Sequence, residues 1–440
     1  MAVEMRTSDV AAVTRGRLAG PDVTIDGLAI DSRLVSGGEL FVPLMAERDG
    51  HDFVAPALDA GAAAYLTARP PLDRPGASAV VVADTSGALA ALGRHARDLL
   101  DAPVDGRVVG VTGSVGKTSV KDLLAAALAA RWRTAASVGS FNNELGVPLT
   151  LANAAGDTEA LVVEMGARGA GHIADLCAIA RPTVGVVTRV AAVHTETFGT
   201  LADVADAKGE LVAALPPSGT AVLNASDPLV AAMADRTRAR VVTFGAGGDV
   251  RADKVVLDDD LRPELHLVTP WGDTTVRLAA RGAHMVENAL AAAAAALVCD
   301  VPVAGVAAAL AAADVSRWRM ELRTLPSGAR LLNDAYNANP TSMAAALRAL
   351  AALDATRRVA VLGLMVELGA TGEAEHRAVG AMARELGIDV VAVGVPAYGG
   401  TVVADLDGAA AALDGLGPGD AVLLKGSRVV GLERLAERLG

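Results

Sequence analysis

The sequence predicts an α/β protein of three domains: a mixed α/β N-terminal domain over residues 1–102, a central domain over 103–312 and a C-terminal domain over 313–440. Three observations support this. At 440 residues the chain is too long for one core and suits two to four domains. From about residue 103 onward, short β-branched runs alternate with Ala- and Leu-rich stretches of helical length, the rhythm of buried parallel strands with crossover helices. The first hundred residues instead mix short strand-like pieces with one or two helices.

Composition narrows the function classes. The chain is 52% hydrophobic, largely through alanine, yet no apolar run of membrane-spanning length escapes interruption; the stretch near 289–298 is too short. Residues 1–6 carry no apolar signal core, so the expectation is a soluble cytoplasmic protein without membrane insertion. A formal net charge of −12 argues against a nucleic-acid partner, because phosphate backbones require a basic stripe. Cys177 and Cys299 lie far apart in apolar stretches and read as buried, reduced thiols.

In the N-terminal segment, Asp31-Ser32-Arg33, Gly37-Gly38-Glu39 and Asp49-Gly50-His51-Asp52-Phe53 form a polar cluster between β-type runs. It reads as a set of turns, with ligand binding as the alternative. A helix over 87–100 ends before Asp101-Ala102-Pro103, where the proline and the shift in charge suggest a linker.

The central segment opens on a strand over 108–111, followed by Thr112-Gly113-Ser114-Val115-Gly116-Lys117-Thr118-Ser119 and a helical stretch. This order makes a phosphate cradle: backbone N–H groups and a helix N-terminus face anionic oxygens, Lys117 adds a full charge, and the Thr118 hydroxyl suits magnesium. The usual glycine five positions before Gly116 is replaced by Val111. Further strands over 161–163, 184–187 and 221–223 place unusual polar residues at their carboxyl ends, where chemistry collects in such sheets. Glu164 follows the first and suits a metal. Thr188-Arg189 follows the second, with His194 and Glu196 beyond; His194 fits either a second ligand or an ordinary hydrogen-bonded side chain. Lys208 is expected near the start of a helix running to Leu215 and, taken alone, reads as a solvated lysine. His284 and Asn288, four apart on one face leading into the helix over 289–298, suit either a base contact or a helix cap.

The C-terminal segment again alternates, with strands over 330–333, 358–362, 390–393 and 421–424 and helices over 341–353, 373–386 and after Gly431. Its polar residues also stand at strand exits: Asp334-Ala335-Tyr336-Asn337-Ala338-Asn339-Pro340 and Lys425-Gly426-Ser427-Arg428.

Taken together, the loop from Thr112 to Ser119, Glu164-Met165-Gly166, His194, Ala207-Lys208-Gly209-Glu210, Arg319-Met320-Glu321 and Lys425-Gly426-Ser427 resemble the landmarks of the Mur ligases, ATP-dependent amide-forming enzymes of peptidoglycan synthesis. Phe141-Asn142-Asn143-Glu144-Leu145-Gly146-Val147-Pro148 and the stretch from Asp334 to Pro340 resemble the branch that joins D-alanyl-D-alanine to UDP-N-acetylmuramoyl-tripeptide. The resemblance implies a UDP-precursor-binding first domain, with Ser32 and Arg33 as contacts. It implies a central P-loop ATPase domain and a Rossmann-like C-terminal domain that binds the amine and closes over ATP.

It further implies ATP held by Gly113 to Ser119, His284, Asn288, Arg319 and Asp334, and Mg2+ at Thr118, Glu164, His194 and a carbamylated Lys208. Lys117, Lys208, His194 and Arg319 become the catalytic candidates. Asn142, Asn143, Tyr336, Asn337, Asn339, Lys425 and Ser427 become substrate contacts, in a cytoplasmic monomer. Two departures stand out: Arg189 where the family usually has asparagine, and Leu364 where it usually has a carboxylate. Two other readings stay open: a Mur-like ligase for another carboxylate and amine, and a catalytically weakened nucleotide-binding scaffold.

Overall fold

The computed structural model describes residues 2–191 and 198–440. The N-terminal part carries a five-stranded sheet in the order Arg17–Ala19, Ala79–Val81, Ala64–Thr67, Leu40–Phe41, Leu28–Ala29, and a ribbon of Glu4–Arg6 against Thr24–Asp26. The helix Thr85–Leu99 begins at Asp84, whose carboxylate accepts from the N–H groups of Ser86 and Gly87, an N-cap that the sequence reading passed over.

This helix packs on the helix Gly146–Ala152 of the central part, and Gly93 is the point of approach. A Cβ there would lie 2.6 Å from Cα of Pro148. The Arg97 guanidinium is buried across the same seam, donating from Nε to the carbonyl of Ala180 at 3.0 Å. One apolar core therefore runs unbroken from Val3, Leu28 and Leu92 to Val147, Ile179 and Leu211. The expected linker at 101–103 is a short helix, Asp101–Val104, with Val104 buried in that core.

Six parallel strands form the central sheet, in the order Arg240–Phe244, Thr220–Asn224, Val184–Val187, Val108–Thr112, Ala160–Glu164, Thr134–Ala136. Continuous burial along the four inner strands reflects cover on both faces, one by the shared core and the other by the helices Lys117–Ala129 and Met285–Val298. The phosphate-loop strand thus lies between the strands that end at Glu164 and Val187.

Sequence patterning did not disclose the three antiparallel strands Arg251–Leu257, Pro263–Val268 and Thr274–Arg277; the first is exposed on nearly every residue and shows no buried face to read. The tip of this hairpin inserts Leu261 into a core otherwise built by the C-terminal part.

The C-terminal sheet has the order Glu321–Thr324, Arg330–Asn333, Asp420–Lys425, Arg357–Leu362, Asp389–Val393, Thr401–Val403, with only the first strand antiparallel. The expected strands and helices of this segment are all present, joined by the unpredicted edge strands Glu321–Thr324 and Thr401–Val403 and the helix Leu406–Ala412.

Candidate active site

The sheets of the central and C-terminal parts point their strand exits into one cleft of about 1330 Å³. On its floor is the phosphate loop. Gly113 has φ 144° and a Cβ there would stand 1.9 Å from Thr188 Oγ1; Gly116 has φ 86° and its Cβ would stand 2.5 Å from Asn288 Oδ1. Both positions need glycine for conformation and for space. Backbone and side-chain bonds then fix the loop: Ser114 N donates to Arg189 O at 2.7 Å and Thr188 Oγ1 donates to Val115 O at 2.6 Å. Lys117 folds back, its Nζ donating to Gly113 O at 2.8 Å. Desolvation lowers its pKa, Arg319 adding to the effect while Glu164 and Glu367 oppose it.

Beside the loop, Glu164 is 1% exposed. Its Oε1 accepts from Asn142 Nδ2 at 2.8 Å, whereas Oε2 has no hydrogen-bond partner among the described residues. A buried carboxylate oxygen without a donor, lining the same cleft as Thr118 at the head of a helix, has the chemistry of a divalent-cation ligand. No cluster of three His, Cys, Asp or Glu side chains converges as a metal site among the described residues. His194 and Glu196 lie outside the described residues.

Lys208 differs from its sequence reading. The helix runs Leu201–Ala213 and starts at Thr200, in a capping box with Asp203, so Lys208 is in mid-helix and 2% exposed rather than solvated near a terminus. Burial, with the nearby Lys117 charge in support and Glu210 in opposition, pulls its pKa down to about 7. Glu210 itself accepts from the N–H groups of Gly171 and Ala174, capping the helix His172–Ala180.

Arg189, the first departure, turns toward the head of the helix Met285–Val298, where Nη2 meets Glu287 Oε2 at 2.7 Å. That helix begins four residues before the expected one and places His284 at its cap position. His284 is open to the cleft yet densely surrounded by protein, and desolvation is the main cause of its lowered pKa.

From the C-terminal sheet, Lys425 is 2% exposed and its Nζ contacts Asp334 Oδ2 at 2.5 Å and Asn337 O at 2.9 Å. Asp334 Oδ1 accepts from Met320 N at 3.2 Å. Arg319 lies between Trp318 (φ 59°) and Met320 (φ 55°), two non-glycine residues in the left-handed region. Such conformations cost about 1–2 kcal/mol each. The Arg319 guanidinium lies 4.3 Å from the Tyr336 ring centroid, with Nε unpartnered among the described residues. Tyr336 reaches back to the central part, its hydroxyl against Ser140 Oγ.

The cleft brings together every expected ATP and metal residue that the structure describes, and Asn142, Asn143, Tyr336, Asn337, Asn339, Lys425 and Ser427. Two of these also have local roles: Asn143 accepts from Leu145 N and Gly146 N, and Asn339 caps the helix Pro340–Ala352. Ser32 and Arg33 are not among the lining residues; Arg33 is an exposed partner of Asp31, and Ile30 faces the cleft instead. Sequence reasoning missed Glu287 and Glu367. Glu367, at φ 69°, lines the cleft and bears electrostatically on Lys117. Leu364 is not among the lining residues, and Glu367, three residues later, supplies the cleft with a carboxylate. Cys177 and Cys299 are buried free thiols, pushed up to about 12 by desolvation.

Three family models match the chain: Mur ligase family, catalytic domain, over 24–97; Mur ligase middle domain over 111–296; and Mur ligase, glutamate ligase domain, over 318–428. UDP-N-acetylmuramoyl-tripeptide--D-alanyl-D-alanine ligase of Mycobacterium tuberculosis (strain ATCC 25618 / H37Rv) is 42% identical, covering 99% of this chain and 98% of that protein. The crystal structure of MurF from Acinetobacter baumannii superimposes with a TM-score of 0.89 at 30% identity, over 100% of this chain and 99% of that one. MurF ligase from Thermotoga maritima in complex with ADP gives 0.81 at 29% identity, over 94% and 96%.

Proposed function

The chain belongs to the Mur ligase family, and from that premise we propose that it joins D-alanyl-D-alanine to UDP-N-acetylmuramoyl-tripeptide at the expense of ATP. The observation that carries this reading is the single cleft in which Lys117, Glu164 and Lys208 of the central part meet Arg319, Asp334 and Tyr336 of the C-terminal part. The first 102 residues hold the UDP end of the precursor, residues 103–312 hold ATP, and residues 313–440 bring the amine. The reaction takes place in the cytoplasm, on a monomer.

The chemistry follows from charge. A carboxylate and an ammonium do not condense in water, so the tripeptide carboxylate first takes the γ-phosphoryl group of ATP, releasing ADP. The amine then attacks the acyl carbon; phosphate leaves and the nitrogen loses its proton. Little covalent work falls to the protein, whose part is positioning and charge neutralisation. Lys117 and the loop N–H groups hold the transferred phosphoryl, and Arg319 adds a positive charge opposite Lys117. Closure of the cleft keeps water from the acyl phosphate. Glu164 and Thr118, with His194 from outside the described residues, would hold Mg2+, which would supply further neutralisation of phosphate charge. Lys208, uncharged above pH 7, is suited to add carbon dioxide, forming an N–C bond and losing one proton to become a carbamate, the second anionic ligand.

Purified protein is incubated with ATP, Mg2+, the UDP-linked tripeptide and D-alanyl-D-alanine. Phosphate release that requires both substrates is expected; release that ignores either one refutes the reading.

A further inference from the structure

One turn beyond the phosphate loop, and outside the cleft lining, the helix Lys117–Ala129 carries a second polar dyad. Lys121 has a side chain 5% exposed; its Nζ donates to Ser137 O at 2.9 Å and Gly139 O at 3.1 Å and pairs with Asp122 Oδ1 at 2.6 Å. Asp122, 12% exposed, accepts on Oδ2 from Ser316 N at 2.8 Å and from Ser316 Oγ at 2.6 Å. A buried ion pair is tolerated when its remaining valences are satisfied, and here they are. The dyad ties two segments to the helix that the phosphate loop opens: the stretch from Ser137 that leads to Ser140 and Asn142, and the crossing into the C-terminal part between the helix Val303–Ala312 and the strand Glu321–Thr324.

Ser316 stands three residues before Arg319. Three residues reach at most about 10 Å when extended, and this stretch is shortened by the left-handed Trp318. Anchoring Ser316 on one side, with Met320 N held by Asp334 on the other, therefore leaves Arg319 little freedom. The Ser140 contact to Tyr336, over whose ring Arg319 lies, is set by the same dyad through Ser137 and Gly139. We infer that Asp122, braced by Lys121, is a positioning residue for Arg319: it transmits the placement of the phosphate-loop helix to the arginine that approaches from the C-terminal part. The inference rests on the proposed role of Arg319 at the transferred phosphoryl group.

A double-mutant cycle tests it, with kcat from phosphate release and the ADP dissociation constant from calorimetry. Asp122→Ala is expected to lower kcat by about 10- to 100-fold while changing ADP affinity less than about threefold, and to cost less than about threefold further in an Arg319→Ala background. Asp122→Glu is expected to restore part of the loss. Equal losses in both backgrounds, an ADP affinity that falls with kcat, or an unchanged kcat would overturn the inference. Should Asp122→Ala show no cooperative thermal transition, Ser316→Ala, which removes one hydroxyl, carries the same cycle with an expected loss of about 3- to 10-fold and the same criteria. A wild-type protein that releases no phosphate refutes the functional reading instead, and a fully active Arg319→Ala overturns the inference.

Discussion

Replacing Gly113 by alanine is expected to disable the phosphate loop without touching a charged group. The added Cβ would stand 1.9 Å from Thr188 Oγ1 and 3.1 Å from the backbone nitrogen of Arg189. To restore ordinary contact the hydroxyl must retreat by more than ~1 Å. Thr188 is short and β-branched, and its Oγ1 is engaged with Val115 O, so retreat breaks a bond that holds the loop. Three costs add: about 1–3 kcal/mol for a non-glycine residue at this φ, about 1–3 kcal/mol for overpacking, and about 1 kcal/mol for the lost hydrogen bond. The sum, about 3–7 kcal/mol, is divided between a lower melting temperature and weaker ATP binding. Calorimetric titration with ADP and phosphate-release kinetics measure the second share. The decisive comparison is Gly113→Ala with Gly113→Ala/Thr188→Ala. Deleting the hydroxyl removes the 1.9 Å clash and leaves the conformational cost and the lost bond to Val115 O, so the double variant should bind ADP at least about tenfold more tightly than the single one. A Gly113→Ala protein with wild-type ADP affinity and melting temperature would refute the reasoning.

Lys117→Ala should lower kcat/KM for ATP by about 10³-fold or more, read from initial rates, since the loop loses its full charge at the transferred group. The Lys208 pKa of about 7 against its ordinary 10.5 makes stability pH-dependent. Between those values the unfolded chain keeps a proton that the folded chain has lost, so the penalty is complete below pH 7 and declines as pH rises toward 10.5. Urea midpoints in CO₂-free buffer should therefore climb over that range for the wild type, and Lys208→Met should flatten the climb and be the more stable protein at pH 6. Gly93→Ala gains about 1 kcal/mol in helix propensity, but meets Pro148 backbone at 2.6 Å. Net destabilisation by about 1–2 kcal/mol is expected in denaturant titrations; a higher melting temperature would show that the seam can open.

Strands buried on both faces, such as Val108–Thr112 and Val184–Val187, were legible because nothing but β-branched and small residues serves there. Arg251–Leu257 was not, because an exposed strand at the margin of a small sheet has no hydrophobic period. Among candidate site residues, those of the glycine-rich loop from Gly113 to Thr118 were readable from type and spacing. The condition of Lys208 was not, since its burial depends on tertiary packing and on a helix start signalled only by Thr200 and Asp203. Arg189 and Glu287 are 98 residues apart, a pairing no local pattern discloses.

The unbroken core between the first and second parts has a consequence for the newborn chain. The helix Thr85–Leu99 leaves the ribosome with its inner face bare, and the surface that covers it is finished only when the helix His172–Ala180 emerges. At about 5–20 residues per second the interval between Leu99 and Ala180 lasts roughly 4–16 s. For that time Leu89, Leu92 and Ala96 are open to chaperones or to a neighbouring nascent chain. The last third faces no such wait on its predecessors, because among the described residues its two cores draw only Leu261 from earlier in the chain. A translational pause placed before residue 180 should therefore lower soluble yield more than one placed after residue 320.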